Sequence, residues 1–393
     1  MKLEEVFQSY SDFIMPTYAK TPLVFVKGKG SFLWDIHSKK YLDFFPGWGV
    51  GSMGHCHAKV VQAIREQAAK LIFVPNNYYT LAQAKLAKKL VSLAFPSKVF
   101  FCNSGAEANE AAIKFSRKFG NGRYEIITFQ DSFHGRTAGA LAATGQKKYQ
   151  EGFQPLLSGF KLAQFNNLDS VKSLINPDTV AIMLELIQGE GGVNVAGLDF
   201  IKALREICDQ NKLLLIVDEV QTGIGRTGKF FAYQHYGIIP DIITLAKALG
   251  AGLPIGAMLV KKEIADILTS GTHASTFGGG AVVCASSLAV LKAMRDEDIL
   301  SNVRDAGEYL FEMAFKLKEK YNIIQDVRGR GLMLGIQLKC PGKDIVAKCM
   351  QKGLLINCTH DTVLRLMPAL NVTKKQIGQG MRILEDVIKK AKS

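Results

Sequence analysis

Five consecutive apolar residues, Leu213-Leu214-Leu215-Ile216-Val217, run into Asp218 and then Glu219-Val220-Gln221-Thr222-Gly223. The run is too short for a helix and does not alternate, so it reads as a strand buried on both faces, as in a parallel sheet between helices. A charge ending such a strand lies at its carboxyl edge, where ligands of open α/β sheets collect. Asp218 is there either as a buried acid with a cationic partner or as a helix-capping acid. A second short strand, beginning at Asp241-Ile242-Ile243-Thr244-Leu245, leads to Lys247 among small and apolar neighbours. Buried lysines are rare. One chemical reason for such a lysine is a desolvated amine of lowered pKa that can form a Schiff base.

At 393 residues the chain is long enough for a large core and two domains. No apolar run approaches the ~18 residues of a membrane span, and the first residues lack the apolar centre of a signal peptide. The seven cysteines are odd in number and scattered, with no CxxC pair, which fits reduced thiols and a cytoplasmic location. The net charge of +14 raises nucleic-acid binding as a reading. Lys85, Lys88, Lys89, Lys389, Lys390 and Lys392 sit as on basic helix surfaces, however, and no dense basic-aromatic patch accompanies them.

Along the chain, residues 21–45 alternate and predict a small antiparallel sheet. Helices are expected near 57–72 and 80–94, the second capped by Thr80. A strand at 98–102 leads through Asn103-Ser104-Gly105-Ala106-Glu107-Ala108-Asn109 into a helix reaching about 119. That turn is either a phosphate cradle, presenting free N–H groups and the positive helix end, or an ordinary cap. Strands near 124–129, 180–185, 213–217, 242–245 and 256–260, with helices between several of them, predict a mostly parallel sheet. After about 285, helices near 280–295, 298–320 and 343–352 mix with strands near 323–328, 332–339, 354–357 and 363–366. A last helix starts at Thr373. The expected organisation is an N-terminal segment (1–50) packing with a small α+β domain (286–393) around a large domain (51–285).

Three short patterns mislead. Gly49-Val50-Gly51-Ser52-Met53-Gly54 matches the dinucleotide fingerprint, but follows an antiparallel region and lacks the later acid. His55-Cys56-His57 suggests a metal, yet neighbours on a turn rarely converge on one ion; no metal is expected. Gly223–Lys229 fits GxxxxGK, but Phe230 stands where a magnesium-binding hydroxyl belongs.

Pyridoxal phosphate (PLP) needs a lysine, an acid for its ring nitrogen, a phosphate cradle and packing on its ring. Lys247, Asp218, the Ser104-Gly105-Ala106 turn and Phe133 supply candidates for all four. A carboxylate about 4 Å from a pyridinium contributes about 4 kcal/mol at an effective dielectric near 20. That is roughly three pKa units before desolvation is subtracted.

With these residues in place the chain resembles the class III (subgroup II) PLP aminotransferases of fold type I over nearly its whole length. The matching motifs are Gly54-His55-Cys56-His57, Asn103–Glu110, Phe133-His134-Gly135-Arg136, Gln188-Gly189-Glu190-Gly191-Gly192, Asp218–Gly223, Ala246-Lys247-Ala248-Leu249 and Ser275-Thr276-Phe277-Gly278-Gly279. The resemblance implies a large domain with a mostly parallel, seven-stranded sheet flanked by helices, plus a smaller α+β domain. It implies that Lys247 carries the cofactor and Asp218 pairs with the ring nitrogen. Ser104, Gly105, Ala106, Glu219 and Val220 are placed with the cofactor site, Gln221 near the ring hydroxyl, and Phe133 on the ring. Thr276 would reach the phosphate in the partner subunit, which implies a homodimer with shared sites. Arg136 and Ser275 are placed at the substrate. Arg365 would bind the α-carboxylate of the keto acid, with Glu185 masking it while the amine donor is bound.

The implied reaction is transfer of the terminal amino group of N2-acetyl-L-ornithine to 2-oxoglutarate, in arginine biosynthesis. Ornithine, succinyl-diaminopimelate and 4-aminobutyrate are the alternative donors. A Rossmann oxidoreductase and a nucleic-acid-binding protein are the readings from other classes. The chain departs from the family pattern at Leu186, Gly280-Ala281 and Ala106, and Trp48 fills a position that varies with substrate.

Overall fold

The computed structural model describes residues 2–391; Lys392, grouped above with the surface lysines, lies outside them. A seven-stranded sheet forms the centre. Its spatial order is Ser97–Cys102, Gly256–Lys261, Ile242–Leu245, Leu214–Asp218, Thr179–Glu185, Glu125–Phe129 and Phe160–Ala163. Gly256–Lys261 runs antiparallel to both neighbours, and the other neighbouring pairs are parallel. Thr179–Glu185 and Leu214–Asp218 are buried at every position, as their unbroken apolar runs require. The edge strand Phe160–Ala163 is an addition to the sequence reading; it is half-exposed and only four residues long, so its pattern is weak.

The helix Gly105–Gly120 starts where the strand Ser97–Cys102 ends. It buries Ala108, Ala111, Ala112, Ile113 and Phe115, and its alanines let the helix lie close to the sheet. The parallel strands Leu214–Asp218 and Thr179–Glu185 pair Asp218 directly with Glu185. The carboxyl edge therefore gathers acids from the core strands.

A second, antiparallel sheet joins Ile324–Arg330, Met333–Leu338, Val363–Leu366 and Asn357–Thr359. The N-terminal strands Phe25–Lys29, Phe32–Asp35 and Lys40–Asp43 form a third sheet, completed by Leu354–Leu355 in parallel register with Leu42 and Asp43. The strand expected over 354–357 is thus divided: its two halves, separated by Ile356, enter different sheets.

The misleading patterns resolve into structure. His55 faces Asp43 at 2.8 Å and His57 faces Glu297 at 3.1 Å, so the two rings diverge. Gly54 has φ +76°, and a Cβ there would sit 3.0 Å from the Gly30 carbonyl oxygen, so the glycine serves a close backbone approach. No helix among the described residues is long and apolar enough to cross a membrane.

Candidate functional site

A cavity of about 460 Å³ opens at the carboxyl edge of the central sheet, and both Asp218 and Lys247 line it. Asp218 closes its strand in register with Thr244, three residues before Lys247. The acid and the amine thus reach one chamber from adjacent strands.

Asp218 is buried and held by three donors. Asn109 Nδ2 and His134 Nδ1 each lie 2.8 Å from Oδ2, and the Val220 amide donates to Oδ1 at 3.0 Å. This arrangement satisfies the buried carboxylate oxygens with short hydrogen bonds. It also fixes the direction of the carboxylate. His134 and Asn109 are functional residues the sequence reading missed. Both lie inside motifs already singled out, His134 next to Phe133 and Asn109 one helical turn after Ala106.

Lys247 has φ +42°, a left-handed conformation uncommon for a residue with a side chain. Such strain collects at functional sites, where the surrounding structure over-determines it. Its amine makes no hydrogen bond or ion pair among the described residues. The side chain is partly exposed, into the cavity, while the protein packed around it desolvates the amine. Burial lowers its pKa; Glu190, Asp218 and Glu185 act against that, and Arg365 adds to it.

Ser104 caps the helix Gly105–Gly120, its hydroxyl accepting the Glu107 amide at 3.1 Å. The cap reading of this turn therefore holds, and Ser104, Gly105 and Ala106 also line the cavity. A Cβ on Gly105 would lie 2.7 Å from the Val220 side chain, so only glycine lets the turn approach the strand-end loop. The first turn of a helix points free N–H groups and positive dipole outward, as an anion requires.

Phe133 lies on the cavity wall with its ring edge-to-face against Tyr149, 5.4 Å between centroids. Arg136 stacks over Tyr149 at 4.2 Å and is otherwise exposed at the cavity. Gln221 also faces the cavity; its amide donates to the Trp48 carbonyl at 3.2 Å.

Arg365 is fully buried, and its partner differs from the expected one. Arg365 Nη1 lies 2.7 Å from Glu190 Oε1, and Nε donates to Asn357 Oδ1 at 2.9 Å. Nη2 is buried without a partner. Glu185 instead accepts the Phe133 amide at 2.9 Å and the Gly189 amide at 3.4 Å. The expected pairing of Glu185 with Arg365 is therefore corrected: the acid on Arg365 is Glu190. Glu185 is fixed at the end of its strand, whereas Glu190 follows the short turn that carries the chain toward Arg365. Burial pushes the Glu185 carboxyl up to about 7, opposed by His134 and reinforced by Asp218.

Four assigned residues do not line this cavity within one chain, Arg365 behind Glu190 among them. Glu219 turns into the core, where it accepts the Tyr233 amide at 2.9 Å and the Thr222 hydroxyl at 2.7 Å. Ser275 and Thr276 line a separate cavity of about 340 Å³, which meets the first at Asn103. Asn103 Nδ2 donates to the Ser275 hydroxyl at 3.2 Å.

The profile of a family described as "Aminotransferase class-III" matches residues 13–388. The chain is 51% identical to the acetylornithine aminotransferase of Methanocaldococcus jannaschii, over 95% of this chain and 96% of that one. It is 48% identical to the acetylornithine aminotransferase of Aquifex aeolicus, over 96% of this chain and all of that one. Among solved structures, the ornithine aminotransferase of Toxoplasma gondii superposes with a TM-score of 0.96 at 30% identity, covering 100% and 96% of the two chains. The acetylornithine aminotransferase of Elizabethkingia anophelis gives 0.88 at 32%, covering 99% and 100%.

Proposed function

The chain belongs to the class-III aminotransferases, a PLP-dependent family whose fold it shares, and on that premise we propose that it transfers the terminal amino group of N2-acetyl-L-ornithine to 2-oxoglutarate, in arginine biosynthesis. The relatives named above at 48% and 51% identity bear the acetylornithine name. The single observation that carries the chemistry is the unpartnered amine of Lys247 in the same cavity as the thrice-bonded carboxylate of Asp218.

The residues present fit PLP. Lys247 would hold the cofactor covalently, Asp218 its ring nitrogen, and the Ser104–Ala106 turn its phosphate, with Phe133 and Val220 along the ring. When bound, the cofactor supplies an electron sink for the substrate carbon that loses a proton. Lys247 would be the base within the cavity: burial lowers the pKa of its amine, so Nζ could take and return that proton. Asp218, fixed by His134 and Asn109, keeps positive charge favourable at the far end of the cavity. Arg136 holds the carboxylate of the donor at the mouth, which leaves the terminal amine directed inward. While Glu190 neutralises Arg365, a donor with one carboxylate is held at Arg136 alone. Release of Glu190 frees Arg365 for the second carboxylate of 2-oxoglutarate.

A homodimer completes the site in this reading, with Ser275 and Thr276 serving the partner's cavity. It is supported by the N-terminal helix Leu3–Phe13, which buries none of its residues in the single chain. Phe7, Tyr10, Phe13, Tyr78 and Tyr79 are exposed, an apolar excess that marks contact surfaces. A cytoplasmic location and the division at about 50 and 285 belong to the same proposal.

The test is an assay of the purified enzyme with acetylornithine, ornithine, succinyl-diaminopimelate and 4-aminobutyrate as donors. Acetylornithine should give the highest kcat/KM. Lys247→Ala should abolish turnover together with the borohydride-sensitive visible absorbance. Full turnover in that variant would end the proposal.

A further inference from the structure

With Glu190 on Arg365, Glu185 is left at the sheet edge beside Asp218, where the two are register partners on adjacent parallel strands. Neighbouring strands are about 4.8 Å apart, and register partners project from the same face. Both residues are buried, at 7% and 4% exposure. Two ionised carboxylates so placed repel, and the charge settles where the donors are. Asp218 takes three short hydrogen bonds, from Asn109, His134 and Val220. Glu185 takes one short bond, from the Phe133 amide, and one at 3.4 Å. The two acids also grip consecutive residues, since Phe133 bonds Glu185 and His134 bonds Asp218.

We propose that Glu185 is a positioning residue that works as the neutral acid, hanging the Phe133–Arg136 segment on the sheet edge and leaving Asp218 as the only negative charge of the pair. The proposal rests on the amino-transfer reading for its consequence in turnover. The charged and titratable groups facing Glu185 are His134, Asp218 and Lys247. Burial dominates their sum and raises the carboxyl to about 7. An ionised Glu185 would place a further negative charge near Lys247, beside those of Glu190 and Asp218, and favour its protonated amine. The neutral acid leaves that amine closer to the free base the reaction uses. The same segment carries Phe133 and Arg136, so one carboxyl group links the aromatic wall, the donor-binding arginine and the charge of the cavity.

Three variants of the full-length enzyme and one spectroscopic measurement test this. Glu185→Gln keeps an acceptor for the Phe133 amide and can never ionise. It should retain kcat within about threefold at mildly acid pH and flatten the alkaline limb of the pH profile. Glu185→Ala removes the acceptor and should lower kcat at least about tenfold, with a raised donor KM, in a chain that remains folded at the assay temperature. Glu185→Asp, one methylene too short to reach Phe133, should behave like the alanine variant. An infrared difference spectrum, wild type minus Glu185→Gln at about pH 6, should contain a protonated-carboxyl stretch that disappears above the group's pKa. A carboxylate band alone at that pH overturns the proposal. So does a glutamine variant that folds normally and is inactive at every pH, or an alanine variant with wild-type kinetics. The infrared result needs no turnover. A wild-type enzyme that moves no amino group therefore refutes the amino-transfer reading and leaves the protonation of Glu185 separately decided.

Discussion

His134 Nδ1 lies 2.8 Å from Asp218 Oδ2, with the imidazole fully buried and its other nitrogen unpartnered. The bond fixes the tautomer when the ring is neutral, since Nδ1 must donate. It also orients the carboxylate toward the cavity, as outer-sphere partners do around metal ligands and cofactors. His134→Phe keeps the ring volume and removes the donor. It should lower cofactor retention and reduce kcat by about 10- to 100-fold. The check is the ratio of visible to protein absorbance after gel filtration, alongside steady-state kinetics. Wild-type values for both would show that Asn109 and the Val220 amide suffice.

The Arg365–Glu190 pair makes a prediction that separates the two half-reactions. Arg365 is fully buried and Glu190 largely so, and truncating one partner of such a pair costs about 2–5 kcal/mol in the state that uses it. Arg365→Ala should raise the KM for 2-oxoglutarate by roughly 30-fold or more, while the half-reaction with the donor changes severalfold. Glu190→Gln should do the opposite, lowering the KM for 2-oxoglutarate and making that acid a stronger competitor of the donor. Single-turnover measurements of each half-reaction decide it. Equal losses in both halves for Arg365→Ala would mean that the arginine is structural.

The central sheet and its two reactive ends were legible for a physical reason. A strand buried on both faces must be apolar throughout, so the charges of Asp218 and Lys247 stand out where the runs stop. The choice between Glu185 and Glu190 was not legible. Glu190 lies inside the Gln188–Gly192 motif and Glu185 just before it, and which one meets Arg365 depends on the hairpin of Ile187–Gln188 with Asn194–Val195. It depends equally on the other sheet, which places Arg365 opposite Gly335 and Asn357. Neither constraint is local in sequence. His134 and Asn109 went unassigned because a donor to a buried acid is recognised by its partner, and the partner of each is more than 80 residues away. The division of the 354–357 strand at Ile356 has the same origin, since tertiary pairing sends Leu354–Leu355 and Asn357 to different sheets.

Glu219 gives a stability prediction with a definite sign. Burial pushes its carboxyl from 4.5 up to about 7, against the bonds from Ala232, Tyr233 and Thr222. Between those values the folded chain holds a proton that the unfolded chain has released. Stability therefore falls as pH rises through this window, and the loss is complete above about 7. Its size is on the order of 3 kcal/mol for a fully buried group. Glu219→Gln keeps an oxygen for the Tyr233 amide and avoids the ionisation. The melting temperature of the variant relative to wild type should therefore be more favourable at pH 8.5 than at pH 5. A difference constant across that range would show that Glu219 ionises at its ordinary pKa.

Arg226 is, with Arg365, one of the two largest fully buried side chains, and no acid among the described residues meets it. Nη1 donates to the carbonyls of Leu332, at 3.0 Å, and Pro368, and Nη2 reaches the Ser52 hydroxyl at 3.4 Å. In return the Arg226 carbonyl accepts the Leu332 amide at 3.1 Å. One guanidinium thus ties the loop after Asp218 to the segment following Arg365 and to the turn that bears Val50. Burial without a counter-charge lowers its pKa to about 9, so the cation is desolvated yet still ionised at neutral pH. Arg226→Ala leaves a cavity and two orphaned carbonyls, and should destabilise the fold by on the order of 3–5 kcal/mol. Arg226→Met also orphans the carbonyls, but it fills the space and removes the desolvated charge, so its loss should be smaller. Thermal-inactivation half-lives of the holoenzyme should therefore order wild type, methionine, alanine. A methionine variant less stable than the alanine variant would show that filling this space does not offset the loss of the guanidinium.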